Sequence, residues 1–261
     1  MNKILISLMP LVFLTRLFGA APEMPVSTAA PAAQVSPSAT ACVYQYKGDV
    51  MLLPAGSQSW VTLKSAVPLK EGSRLKTGAG AWCQILAGDG TFINLYENSE
   101  TVVEKLRLDK DGRDYGFNFI KGRILWMAAK LKHKLSKFEI HTPSAVCAVR
   151  GTDFSINVAS ATTDIGLFEG QLNITSDGKE TALSAGSEAV AGPGAGVQVS
   201  ERLSKFMEAE KRRYLKLKKH ADDLRLKLEA RENFIDEFVQ VQQKKVQDFE
   251  DRRQEKLNKR K

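Results

Sequence analysis

The sequence is poor in the residues that build metal and nucleophile sites. It contains three cysteines and three histidines in 261 residues. His133, His141 and His220 are scattered, without the close spacing of zinc ligands, so we expect neither a metal nor another cofactor. The sequence also lacks a Gly-x-Ser-x-Gly elbow and any recognisable set of nucleophile, base and orienting group. We therefore predict that the protein is not an enzyme.

So few cysteines leave little room for disulfide bonds. Three cysteines allow at most one disulfide within the chain. A bond between Cys83 and Cys147 is one alternative, and two small buried thiols on strands are the favoured one. Cys42 follows Ser-Ala-Thr-Ala, which faintly resembles a lipidation site but lacks the usual leucine upstream.

Long hydrophobic runs are absent except at the N-terminus. There, a lysine precedes an apolar core and a Gly-Ala-Ala sequence, which is typical of a cleaved secretory signal over residues 1–21. A retained N-terminal anchor is the alternative. After cleavage no other segment is long enough to span a membrane. We expect an exported protein of the periplasm or cell surface, where a nucleic-acid partner is not expected.

Composition divides the rest of the chain into four parts. Residues 22–42 are rich in Pro, Ala and Ser and read as a linker. Residues 43–190 contain many short segments with β-branched or aromatic residues at period two, separated by Gly-containing turns. They predict a mainly β domain, either an antiparallel sandwich or roll or a short solenoid. Residues 191–199 begin with Ala-Gly-Pro-Gly-Ala-Gly and are interpreted as a flexible joint.

The C-terminal part, residues 200–261, contains strong helix formers and neither Gly nor Pro after residue 200. An apolar seam with polar breaks at Glu210, Arg231, Gln242 and Lys245 predicts one long helix, with a coiled coil as one arrangement. Such a helix should pair with another chain, fold back or lie along a surface. We expect self-association or binding to an envelope protein through seam residues Leu217, Leu224, Leu228, Ile235 and Phe238.

A basic segment, KLKHKLSK at 130–137, is the one candidate for binding an anionic polymer. Its contacts would come from Lys130, Lys132 and Lys134. Runs of this length are more often simply solvated, so this is the weaker interpretation.

One strand-like stretch, EIHTPSAVCAVRGTDFSINV at 139–158, is interrupted by polar residues and glycine. We interpret the interruption as architectural. Proline keeps the preceding residue extended, and glycine permits a bulge or turn. We further predict that the arginine and aspartate pair locally and that the threonine bonds nearby backbone. The motif residues are Thr142, Pro143, Arg150, Gly151, Thr152 and Asp153.

Several motifs occur in the order found in one known family. They are KGDV (47–50), a Leu-x-x-Gly-x-x-Leu-x-Thr-Gly and Asp-Gly-Thr stretch within 60–103, FIKGRILWMA (119–128), FEIHTPSAVCAVRGTDFSINV (138–158) and GLFEGQLNI (166–174). This pattern resembles the FecR domain family, named for the periplasmic regulator of iron-dicitrate uptake. The resemblance implies a non-enzymatic extracytoplasmic β-module for signalling or protein contact. Because this chain has a secretory signal and no internal span, direct control of a sigma factor is not expected.

These observations predict an exported, non-enzymatic binding or scaffold protein of the cell envelope, with a helical tail for oligomerisation or docking. One alternative is a periplasmic signalling component that senses an outer-membrane transporter. Another is a protein that binds the cell wall or a surface polymer.

Overall fold

A computed structural model describes residues 39–109, 112–130 and 136–259. Within these residues the chain forms seventeen strands followed by two helices, so the predicted class, mainly β with a helical C-terminus, is confirmed. The predicted signal peptide and residues 22–38 of the predicted linker lie outside the described residues. The first strand begins at Ala41, two residues before the predicted start of the domain.

The strands are β1 (Ala41–Lys47), β2 (Val50–Leu53), β3 (Val61–Thr62), β4 (Val67–Leu69), β5 (Arg74–Thr77), β6 (Trp82–Ala87), β7 (Phe92–Leu95), β8 (Glu100–Leu108), β9 (Arg113–Met127), β10 (Lys137–His141), β11 (Val146–Val149), β12 (Asp153–Ala159), β13 (Thr162–Glu169), β14 (Gln171–Ser176), β15 (Lys179–Ser184), β16 (Glu188–Gly192) and β17 (Gly196–Ser200). The helices are α1 (Lys205–Ala230) and α2 (Phe234–Asn258).

The strands form two layers that share the long strand β9. The C-terminal part of β9 pairs with β7 and β12, in the order β4-β1-β6-β7-β9-β12-β13-β16-β17. The N-terminal part of β9 pairs with β8 and β10, in the order β3-β2-β5-β8-β9-β10-β11-β14-β15. We call the first the helix-covered sheet and the second the open sheet. The β9–β10 pair is parallel, so the sandwich is not purely antiparallel as predicted.

Strand β9 passes from one sheet to the other at Gly122. This residue has φ +93°, and a Cβ placed on it would lie 2.5 Å from Ser99 Cα and 2.8 Å from Asn98 O. Only glycine adopts this conformation without strain while allowing the backbone of residues 98–99 to approach so closely.

The main core lies between the two sheets and follows the predicted alternation. In β12, Phe154, Ile156 and Val158 point into this core, while Ser155 and Asn157 are outside the apolar cluster. Its largest side chain is Trp126 of β9, fully buried against Phe117 and Phe154. Burial of aromatic side chains of this size supplies much of the free energy that holds two sheets together.

A second apolar layer covers the other face of the helix-covered sheet. In β9, Ile124 and Trp126 belong to the main core, whereas Leu125 and Met127 point the opposite way and pack beneath the helices. The same layer contains Cys42, Tyr44, Leu86, Phe92 and Phe168 from the strands, and Tyr214, Ala221, Leu224, Phe234, Ile235 and Val239 from the helices. Strands of this sheet are therefore buried on both faces.

The predicted single helix is instead two helices. Ser204 caps α1 by accepting a hydrogen bond from Met207 N at 3.2 Å, and the helix ends at Arg231, whose backbone is extended. The chain then turns through Glu232 and Asn233 before α2 begins. The break lies at one of the predicted polar interruptions of the seam, and it lets Phe234 and Ile235 bury their side chains on the sheet.

The predicted flexible joint at 191–199 is wrong. Strands β16 and β17 pair across it, so Pro193, Gly194 and Ala195 form the turn of a hairpin and the β-domain continues to Ser200. Ala195 N donates to Gly192 O at 3.2 Å, and Gly194 and Gly196 both have positive φ. Proline followed by glycine suits a tight turn as well as a linker, and strand pairing decides between them.

Candidate functional site

The predicted Thr-Pro and Arg-Gly-Thr-Asp residues flank β11. Thr142 and Pro143 connect β10 to β11, where Thr142 Oγ1 donates to Ala145 O at 2.9 Å and accepts from Ala145 N at 3.0 Å. Gly151, with φ +66°, lies in the turn between β11 and β12. Thr152 is buried, and its backbone O accepts from Ala128 N at 3.1 Å. Its hydroxyl has no partner among the described residues, contrary to the prediction that it bonds nearby backbone.

The predicted local pair between Arg150 and Asp153 is also wrong. A shift in register between Asp153 and Phe154 marks the start of the β12–β13 ladder, and Phe154 points into the main core. Asp153 therefore points the other way, toward α1, while Arg150 is exposed. The Asp153 carboxylate accepts a hydrogen bond from Tyr214 Oη at 2.9 Å and lies 3.8 Å from Lys218 Nζ. The aspartate of the motif thus holds the first helix against the sheet.

Tyr214 and Lys218 extend this contact into a small polar cluster, which we call the Asp153 cluster. Lys218 donates to Tyr214 Oη at 2.7 Å and to the Glu169 carboxylate at the end of β13. Burial and the two nearby carboxylates raise the pKa of Tyr214, which keeps it protonated as a donor to Asp153. Bonding to Lys218 lowers the pKa of Glu169, so Glu169 stays ionised.

Burial raises the pKa of the Asp153 carboxyl from 3.8 to about 6. The hydrogen bond from Tyr214 and the positive charges of Arg225 and Lys218 oppose this shift, and Glu169 adds to it. Because the native pKa is above the unfolded value, the native state binds the proton more tightly. This contribution to stability is complete below about pH 4 and is lost as pH rises through 6.

We therefore expect the stability difference between the wild type and Asp153→Asn to depend on pH. It should change by roughly 2 to 3 kcal/mol in disfavour of the wild type between pH 4 and pH 7, since asparagine does not titrate. Urea unfolding of both proteins at each pH measures this, and other carboxyl groups cancel in the difference. A difference that stays constant with pH would contradict the assignment.

A second polar cluster surrounds Glu210. This glutamate was singled out from the sequence, but the residues that contact it were not. Glu210, predicted as a polar break in the seam, is fully buried. Its carboxylate accepts from Arg123 of β9 at 3.0 Å and also from Arg213 one turn later. Arg123 in turn lies over the ring of Tyr96, 4.4 Å from its centroid. The glutamate therefore fixes α1 to the strand that both sheets share.

The predicted partner-binding seam is occupied by the protein itself. Its five residues face the helix-covered sheet, where Leu224 and Ile235 are buried and Leu217, Leu228 and Phe238 are partly buried. The notch that receives α1 is made by Gly166 of β13, where a Cβ would lie 2.7 Å from Met207 Sδ. The apolar surface that would drive self-association through these seam residues is therefore already covered by the β-domain of the same chain.

The end of α2 is different, because it borders an open groove. Tyr44, Tyr46 and Trp82 of the helix-covered sheet form one wall, with the β3–β4 connection beside them. On the other side, Phe238 stacks on Tyr44 with ring centroids 4.5 Å apart, and Phe249 is 67% exposed. The groove encloses about 650 Å³ and is further lined by Lys64, Gln242, Lys245, Val246, Glu250 and Arg253. We call it the α2 groove.

The lysines and cysteines that were singled out from the sequence do not come together in one site. Lys130 is exposed, and Lys132 and Lys134 lie outside the described residues. Cys42, Cys83 and Cys147 are free, buried thiols, and burial raises the pKa of each to about 12, which suppresses thiolate chemistry. In the described part of the chain, no three His, Cys, Asp or Glu side chains are grouped to hold a metal ion. Neither of the described helices is apolar enough over sufficient length to cross a membrane.

A protein-family model shows what part of this chain is similar to. The model described as FecR protein matches residues 73–173. We call these matched residues the FecR region. This FecR region runs from β5 to β14, so it includes the shared strand β9 and the Arg-Gly-Thr-Asp motif but neither helix. The resemblance inferred from the sequence motifs is confirmed.

Comparison with solved structures adds two distant similarities. Crystal structures of a proposed anti-sigma factor from Parabacteroides distasonis, at 1.65 and 2.50 Å resolution, are 14% identical to this chain with a TM-score of 0.42. The similarity covers 49% of this chain and 59% of the other, so this chain spans less than two thirds of the protein it matches. No conclusion about function follows from a similarity of this size. A search of the curated proteins found no match.

Proposed function

We propose that this chain is an exported, non-enzymatic protein-binding component of an envelope signalling system. The match of residues 73–173 to the FecR family is the observation that carries the proposal. A periplasmic or cell-surface location is supported by residues 1–21, whose charge and hydrophobicity are typical of a secretory signal.

The packing of the helices supports a pre-assembled module. Polar contacts at Asp153 and Glu210, together with the second apolar layer, hold α1 and α2 on the sheet. A partner would therefore meet a surface that is already ordered, and binding would cost little conformational entropy. Sensing of an outer-membrane transporter is the specific form of signalling that fits this proposal.

The proposal can be tested in the native host by replacing exposed residues of the FecR region with a photo-crosslinking amino acid. Leu108 and Val146 are suitable because their side chains are 37% and 36% exposed. We expect the protein in the envelope fraction and discrete crosslinks to one or more envelope proteins. The proposal would be overturned if the protein fractionated with the cytoplasm, or if no exposed position gave a protein crosslink.

A further inference from the structure

The apolar stripe of α2 continues beyond the part of the helix that the sheet supports. Ile235 and Val239 are buried on the sheet, and Val246 is half-buried at the groove. Phe249 and Leu257 follow on the same helical face but are 67% and 47% exposed. From Phe249 to Lys259 every side chain is exposed. The stripe therefore presents apolar side chains to solvent at a spacing that suits helix packing.

Aromatic residues of the strands lie opposite α2 in the groove and add to the apolar surface of the helix. Trp82 of β6 and Tyr44 of β1 line the groove on the side of the strands, so an occupant would contact apolar surface on two sides. Exposed aromatic side chains in a concave surface are typical of the anchor points of protein interfaces. The helical spacing of Val246, Phe249 and Leu257 favours an occupant that is itself a helix lying along α2.

The charge around the groove is positive. Lys64 pairs with Glu250 at 3.2 Å across one edge of the groove. Glu250 is the one acidic residue among the described residues that line the groove, and this pair neutralises its charge. Lys245 and Arg253 line the groove without an ion pair among the described residues. Lys245, Arg252 and Lys256 also share one flank of the helix, at spacings of seven and four residues. An occupant with acidic residues beside its apolar stripe would complement these charges.

A second copy of this chain fits the groove less well. An antiparallel pair of α2 helices would keep the two β-domains at opposite ends. Because a two-fold axis then brings each flank against the same flank of the other copy, Lys245, Arg252 and Lys256 would face their own counterparts. Like charges in this arrangement oppose association.

We propose that the α2 groove and the exposed end of the α2 stripe bind an amphipathic helix of another envelope protein, with acidic residues flanking its apolar face. This proposal rests on the proposed function and names the surface that would contact the partner. The anchors are Trp82, Val246 and Phe249, and the charges that select the partner are Lys245 and Arg253.

The test uses the chain from residue 22 onward and a synthetic fluorescent 18-residue helical peptide as probe. The peptide carries leucine and phenylalanine on one face and glutamate on both flanks, and a second peptide replaces each glutamate with lysine. Fluorescence anisotropy measures binding. We expect the glutamate peptide to bind at least about tenfold more tightly than the lysine peptide, because only the former complements the cations.

Variants locate the binding to the groove. Phe249→Ala and the double variant Lys245→Glu/Arg253→Glu should each weaken binding of the glutamate peptide by about tenfold. Leu226→Ala is the matched control, because Leu226 is 65% exposed on α1 and does not line the groove. It should bind the peptide as the wild type does. Circular dichroism confirms that each variant is folded.

Three outcomes would overturn the inference. The first is equal or absent binding of the two peptides, or no effect of Phe249→Ala. The second is a dimer in sedimentation that Phe249→Ala dissociates, which would make a second copy the occupant. The third is stronger binding to an anionic polysaccharide, with heparin as the probe, than to the peptide. Envelope crosslinks from the FecR region would still support the proposed function in each case, so the two failures are distinguishable.

Discussion

Gly122→Ala is expected to lower the free energy of unfolding by about 3 kcal/mol or more. Alanine would have to adopt φ near +93°, a region in which side chains are rarely found. Its Cβ would also press on the backbone of Asn98 and Ser99, which are part of the turn leading into β8. Backbone atoms cannot rotate away as a flexible side chain can. The strain would therefore act at the point where β9 changes sheets.

Gly186→Ala provides a matched control for this prediction. Gly186 has φ +88°, but no atom lies within 4 Å of a Cβ built on it. Its substitution should cost only the backbone strain, about 1 kcal/mol. Urea unfolding of the two variants separates close approach from conformation. Equal losses would mean that the contact with residues 98–99 is unimportant.

Ending the chain after Ser200 is expected to prevent the β-domain from remaining folded as a monomer. Removal of both helices uncovers the outer face of the helix-covered sheet, including Tyr44, Phe92, Leu125, Met127 and Phe168. At about 1.5 to 3 kcal/mol for each large apolar side chain, the lost burial is on the order of 10 kcal/mol. That is comparable with the whole stability of a typical domain.

Light scattering and binding of a hydrophobic dye measure this effect. The shortened protein should aggregate or bind the dye strongly, while a chain ending at Glu250 should behave as the full protein does. The shorter deletion keeps the Lys64–Glu250 pair, and all the described residues that it removes, 251–259, have exposed side chains. A monomeric chain ending at Ser200 that binds no dye would show that the helices are not needed to cover the sheet.

The sequence contains a sign that the helix-covered sheet is buried on both of its faces, and the prediction of the fold used only part of it. WCQILA in β6 and ILWM in β9 are nearly continuous apolar runs. Their residues predict strands, and continuity rather than alternation is typical of strands buried on both faces. Read in that way, the runs indicate that something covers the outer face. The helical tail is the one long amphipathic segment available.

The polar residues that interrupt the predicted seam coincide with particular structural features of the helices. Glu210 is where the seam meets Arg123, and Arg231 is where the helix ends. Gln242 and Lys245 lie where the sheet no longer supports α2 and the groove begins. Periodicity alone predicted the helical segment and its apolar face. It could not separate packing within the chain from packing between chains, because both require the same apolar stripe.

Other parts of the site could not be predicted from local pattern. Asp153 and Tyr214 are 61 residues apart, and their contact depends on the register of β12 and on which face α1 covers. Strand parity places Asp153 opposite Phe154 but does not say which element lies there. A neighbouring arginine in the sequence therefore suggested a local pair that the fold does not make.

The position of β9 also has a consequence for how the protein unfolds. This strand is bonded to β7 and β12 in one layer and to β8 and β10 in the other. Detaching it would remove a central neighbour from both layers at once, so neither layer can melt alone. Amide protons of β9 should exchange with deuterated solvent only through global opening, at a rate shared by both halves of the sandwich.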